Sequence, residues 1–127
     1  MKLGYTIIYV SDVLKTIEFY KQAFSLEVKS LHDSNQYAEM QTGETTLAFA
    51  SEGLAESNEV RFKPNRATEI AAGFEIAFVT DNVNTAFKIA IKAGASPIAP
   101  PKKKPWGQTI AYVKDINGVL VEICDPE

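Results

Sequence analysis

With 127 residues, 46% hydrophobic and 23% charged, and a formal net charge of −3, the chain has enough apolar material for one packed domain and too little net charge for disorder. The acidic balance offers no field for a phosphate backbone, which argues against a nucleic-acid partner. The single cysteine, Cys124, rules out an internal disulfide and any CxxC pair. No apolar run approaches the ~20 residues a membrane helix needs. The opening MKLGYTIIYVSD also meets a charge before a signal-peptide core could form. The expected setting is therefore reducing and cytoplasmic, with no membrane partner.

In chain order, Tyr5–Val10 is rich in β-branched and aromatic residues and reads as a strand. Asp12 is placed to cap a helix whose apolar face is Val13, Ile17, Tyr20 and Phe24. Three shorter β-type runs follow at 26–31, 36–41 and 45–50, the last two separated by the turn Thr42-Gly43-Glu44. Ser25 stands where a helix commonly ends on glycine, and a serine tolerates the left-handed conformation poorly, so that corner is expected to differ locally. Residues 51–73 are polar and mixed in charge and read as a long connection.

The order then repeats. Phe74–Val79 reads as a strand, Asp81 or Asn82 as a cap, and Val83, Ala86, Phe87, Ala90 and Ile91 as a helix face ending at Gly94. Residues 99–107, APPKKKPWG, read as an exposed loop because their prolines forbid a central strand. Strands at 109–114 and 119–124 flank the turn Asp115-Ile116-Asn117-Gly118. IIYVSD in the first half matches IAFVTD in the second, which marks a duplication. The organisation expected is one domain of two modules, residues 1–51 and 74–127, joined by a linker at 52–73.

YVSDVLKTIEFYKQAFSLEV, GFEIAFVTDN and PWGQTIAYVKDINGVLVEICDP resemble the two modules of the glyoxalase/bleomycin-resistance/dioxygenase group, the vicinal oxygen chelate superfamily. The resemblance implies an α+β fold of two tandem βαβββ modules, whose mixed sheets form a partly open U around a cavity. It also implies a homodimer. Metal-dependent members carry ligands on strands of both modules; the matching positions here are Tyr5, Ala48, Glu75 and Glu122, of which only Glu122 keeps the family residue. An ungapped overlay of the two halves would set Phe74 at the Glu75 position. Strand alternation decides for Glu75, since Phe74, Ile76 and Phe78 suit one face and leave Glu75 and Ala77 on the other.

One histidine, His32, in a turn-like stretch cannot build an imidazole-based site, so glyoxalase I chemistry is not expected. No cofactor is expected; a divalent cation on Glu75 and Glu122 is the remaining option. Two carboxylates facing one cavity repel, so one should hold its proton unless a cation sits between them. Tyr5, Ile7, Tyr9 and Ala48 add an apolar, aromatic wall suited to a small organic ligand. Trp106-Gly107 is similar to a pair found before the same strand in bleomycin-resistance proteins, where the indole would stack on a flat or cationic ligand. Lys102–Lys104 reads as a solvated run, and Cys124 as a buried, unreactive thiol. Two functional readings stay open. One is metal-independent binding of a cationic or aromatic compound, with Tyr5, Ile7, Tyr9, Ala48, Glu75, Trp106 and Glu122 as ligand contacts. The other is a divalent-metal-dependent lyase, isomerase or dioxygenase-like enzyme, with Glu75 and Glu122 as the catalytic candidates.

Overall fold

Asp12 sets the first boundary. Its carboxylate accepts the Lys15 amide at 2.9 Å, satisfying a free N–H of the first turn of α1 (Val13–Phe24). Val13, Ile17 and Tyr20 are buried as the helical spacing predicts, joined by Thr16, Phe19 and Ala23. In this computed structural model, which describes residues 1–127, α1 follows strand β1 (Tyr5–Val10). It precedes β2 (Val28–Leu31), β3 (Tyr37–Met40) and β4 (Thr46–Ser51). These strands form one mixed sheet in the order β1-β4-β3-β2. β1 runs parallel to β4 and the other pairs are antiparallel.

The second set repeats this plan. β5 (Glu75–Val79), α3 (Val83–Ala93), β6 (Ser96–Lys103), β7 (Thr109–Lys114) and β8 (Leu120–Cys124) give a sheet in the order β5-β8-β7-β6. The chain divides into two units: Met1–Lys21 with Ser25–Pro64, and Gln22–Phe24 with Asn65–Glu127. Each has its own core. In unit 1 Tyr20 of α1 meets Phe49 of β4 with ring centroids 4.8 Å apart, both fully buried. In unit 2 Val83 and Ala90 of α3, with Val113, Val121 and Ile123, are buried. Burying one such large side chain contributes about 1.5–3 kcal/mol.

Three expectations are corrected, and one open choice is settled. The prolines of 99–107 do not prevent a strand, because β6 reaches Lys103. It lies at the sheet edge and shifts register between Pro97 and Ala99 and between Ala99 and Lys102, so missing N–H groups face outward or fall at bulges. The connection after β4 is not irregular throughout: Ser51 caps a short helix, α2 (Glu52–Ser57), by accepting the Leu54 amide at 3.1 Å. Ser25 does adopt the left-handed conformation, at φ 56° and ψ 33°, so α1 ends without glycine. The matched text of the two halves is out of structural register by one residue. Asn82, not Asp81, caps α3, accepting the Thr85 amide at 3.1 Å, so Asp12 corresponds to Asn82 and Tyr5 to Glu75.

Candidate functional site

A sheet covered by a helix on one face leaves the alternate side chains on the other. In unit 2 that face carries Glu75, Ala77 and Val79 from β5, Leu120, Glu122 and Cys124 from β8, and Tyr112 and Lys114 from β7. Ala77, Glu122 and Tyr112 form one row across the three strands, and Glu75, Leu120 and Lys114 form the next. Glu75 and Glu122 are thus diagonal neighbours, the spacing at which long side chains on a sheet meet.

Partial burial, then the charge of the neighbouring Glu122 carboxyl, then hydrogen-bond pairing with it raise the pKa of Glu75 from its ordinary 4.5. Tyr112 donates its hydroxyl to Glu122 Oε1 at 3.0 Å. Burial, and then that bond, push the phenol to about 12, so it remains a donor at any physiological pH. Cys124, buried one row further on, donates its thiol to the Phe78 carbonyl at 3.7 Å; burial, and then the neighbouring Glu122 carboxyl, raise it to about 11, so it stays a thiol. No lysine or arginine pairs with either glutamate. Lys114, on the same face, directs its ammonium to the Glu69 carbonyl at 2.6 Å instead.

In unit 1 the corresponding row is Ile7, Ala48 and Glu39, flanked by Tyr9, Ala50 and Tyr37. Tyr5 and Ile7 stand 57% and 46% exposed on the outer strand, while Ala48 is fully buried beneath its neighbours. Tyr37 donates to Glu39 Oε2 at 2.9 Å, and burial followed by that bond lifts its phenol to about 12. Tyr9 packs on Phe62, ring centroids 4.8 Å apart and planes at 60°.

The candidate residues therefore fall into three groups. Glu75 and Glu122 are diagonal neighbours on one face of the second sheet; Tyr5, Ile7, Tyr9 and Ala48 share one face of the first sheet. Trp106 joins neither. It lies 63% exposed in the turn between β6 and β7, and Lys103 pairs with Thr109 as that hairpin closes. Three residues of extended strand, roughly 10 Å, separate Thr109 from the Tyr112–Glu122 row. The indole N–H donates to Gln108 Oε1 at 3.0 Å, and the Gln108 amide donates to the Asp125 carbonyl at 2.8 Å. Trp106, Gly107, Gln108, Pro126 and Glu127 line an open hollow of about 430 Å³. His32 is exposed and bonds through Nδ1 to Ser34 at 2.8 Å.

Tyr112, Tyr37 and Glu39 are additions to the expected set. Alternation along Tyr37-Ala-Glu-Met40 would have placed Tyr37 and Glu39 together on one face, but the bond from Tyr112 to Glu122 crosses strands and depends on register. The family positions hold a phenol, a methyl group and two carboxyls, with no imidazole for a borderline metal, and nowhere do three His, Cys, Asp or Glu side chains gather closely enough to hold an ion. What the unit 2 cluster can do is hold and exchange one proton, or accept a cation between two carboxylates.

No helix is long and apolar enough to cross a membrane. Among known proteins, the profile of the Glyoxalase/Bleomycin resistance protein/Dioxygenase superfamily matches residues 2–123. The uncharacterized protein YraH of Bacillus subtilis (strain 168) is 26% identical over 124 residues, 97% of each chain. A glyoxalase-related enzyme from Fulvimarina pelagi superposes with a TM-score of 0.85 at 18% identity, covering 99% of this chain and 88% of the other. A glyoxalase/bleomycin resistance protein/dioxygenase family enzyme from Burkholderia phytofirmans PsJN gives 0.80 at 21% identity, with 98% of each chain covered. Two βαβββ units in this order, matched along almost their whole length, mean that the chain belongs to the glyoxalase/bleomycin resistance protein/dioxygenase superfamily.

Proposed function

We propose that the chain is a metal-independent small-molecule-binding protein of the bleomycin-resistance type, which takes an organic cation with an aromatic body at Glu75 and Glu122. The observation that carries this reading is a pair of neighbouring carboxyls on one sheet face, with Tyr112 fixing one of them and no basic side chain neutralising either. The missing counter-charge is part of what raises Glu75. An entering ammonium or amidinium group supplies that charge, favours the ionised form of Glu75 and releases the proton it holds, so that both carboxylates act as acceptors. Ala77 in the same row leaves space beside Glu122 for the bound group.

The reading includes a homodimer in a reducing cytoplasm. Supporting the dimer, β1 and β5 are outer strands of their sheets and carry exposed apolar side chains, Tyr5, Ile7 and Val79.

Calorimetric titration with benzyltrimethylammonium in two buffers of different ionisation enthalpy is the test. Binding should release a proton, seen as a buffer-dependent heat, and Glu122→Gln should weaken it about tenfold, the effect of losing one charged partner. Absence of binding across a set of aromatic cations would overturn the reading. A near-stoichiometric divalent metal in the purified protein, lost in Glu122→Gln, would replace it with the metal-dependent lyase, isomerase or dioxygenase-like alternative.

A further inference from the structure

Glu75, Leu120 and Lys114 form one row across β5, β8 and β7, and Ser96 ends it on β6. Glu75 and Ser96 are exposed, and Leu120 and Lys114 are half-buried, so solvent reaches every position of the row. An acid stands at one end and an ammonium two strands away, with roughly 10 Å between their backbones. Leu120 lies between them and keeps them apart. Lys114 accordingly pairs with no carboxylate, although two share its face.

The ammonium is nonetheless fixed. Lys114 Nζ donates to the Glu69 carbonyl at 2.6 Å. That carbonyl belongs to the segment 65–72, which is tied to the same end of the sheet. The Arg66 carbonyl accepts the Glu69 amide at 3.1 Å and lies so close to Gly118, in the β7–β8 turn, that a side chain there would collide with it. Ordering a lysine side chain costs up to about 2 kcal/mol of rotamer freedom, and here much of that cost is met before any ligand arrives. A carbonyl takes one of the three N–H donors and neutralises none of the charge. Two donors and a full positive charge are left for an anionic group.

We propose that Lys114 is a ligand-recognition residue and that the compound bound on this face is a zwitterion, its cation at Glu75 and Glu122 and its carboxylate at Lys114. The proposal rests on the reading given to the glutamate pair and narrows its ligand class. Leu120 and the exposed Ala77 form the floor beneath the body that joins the two charges. A simple organic cation meets Lys114 as a like charge on its own face, whereas a zwitterion turns that charge into a partner.

The probe is para-carboxybenzyltrimethylammonium, titrated calorimetrically beside its carboxamide, which keeps the size and loses the negative charge, and beside benzyltrimethylammonium. The carboxylate should bind at least about fivefold tighter than the carboxamide, the effect of one charge-assisted bond at a part-exposed site. That comparison is made in the parent protein and needs no variant. Lys114→Met should remove the gain and Lys114→Arg should keep most of it. Lys114→Met should also tighten benzyltrimethylammonium, since a like charge has left the face. A carboxylate no tighter than the carboxamide, or a gain that survives Lys114→Met, would overturn the proposal and leave the cation reading standing wherever benzyltrimethylammonium still binds. Loss of binding for all three compounds, or full affinity of the carboxylate in Glu122→Gln, would overturn both.

Discussion

In the first sheet the row Ile7–Ala48–Glu39 carries its carboxylate on β3; in the second, Ala77–Glu122–Tyr112 carries it on β8. Each carboxylate is held by a tyrosine hydroxyl, from two residues away on the same strand in unit 1 and from the neighbouring strand in unit 2. The outermost position differs too: Tyr5 on β1 answers to Glu75 on β5. The duplicated frame thus preserves a phenol–carboxylate pair while moving it by one strand, and only unit 2 adds a second acid to it. Backbone geometry is conserved between the halves where chemistry is not.

The largest expected difference between the units lies at their turns. Gly43 and Gly118 have nearly the same backbone, φ 94° and 91°, but a side-chain carbon at Gly43 would meet nothing within 4 Å. At Gly118 it would run into the carbonyl group of Arg66, backbone that cannot swing away. Gly43→Ala should cost about 1–2 kcal/mol from conformation alone, and Gly118→Ala about 3 kcal/mol or more. Urea unfolding of the two variants measures both; equal losses would mean that the Arg66 approach does not constrain the hairpin.

A smaller contrast is set at the helix ends. α1 stops on Ser25 in the left-handed region and α3 on Gly94 at φ 120°. Ser25→Gly should stabilise the protein by up to about 1 kcal/mol, since relief of the strained backbone is partly offset by the extra freedom glycine has when unfolded. A thermal melt that moves down instead of up would show the serine side chain to be needed at that corner.

The smallest effect is pH-dependent and belongs to unit 2 alone. Because the folded state raises Glu75 above its ordinary 4.5, the native state binds more protons there than the unfolded chain does. Its favourable contribution is complete below 4.5 and is lost as pH rises through the raised folded value. Glu75→Gln should therefore match the parent protein in acid and be slightly more stable at neutral pH, by less than about 1 kcal/mol given the exposure of the side chain. Tyr5→Phe, at the corresponding place in unit 1, should show no such divergence. Chemical denaturation at a series of pH values distinguishes the two.

The helix caps and apolar spacings of α1 and α3 were legible in the chain because they are local: Asp12 lies three residues before Lys15, whose amide it receives. The alternation that put Glu75 and Glu122 on one face was legible for the same reason. The tyrosine hydroxyl reaching Glu122 was not, since it depends on how β7 is registered against β8. Bulges such as those in β6 and β2 make register unreadable from pattern alone. Proline content hid β6, because the same residues that exclude a central strand are tolerated on an edge. Trp106 drew attention as a ligand contact through its glycine neighbour, whereas its own hydrogen bond ties it to Gln108 and the end of β8.

The one-residue offset between IIYVSD and IAFVTD bears on how the halves of such a protein can be exchanged. A chimera that replaced β1 by β5 letter for letter would deliver Phe74 where Tyr5 stands and turn the acidic residue toward the helix. Joined instead at the capping residues, Asp12 for Asn82, the graft would keep every side chain on its own face. The cap, rather than the most similar text, is the seam along which these repeats are interchangeable.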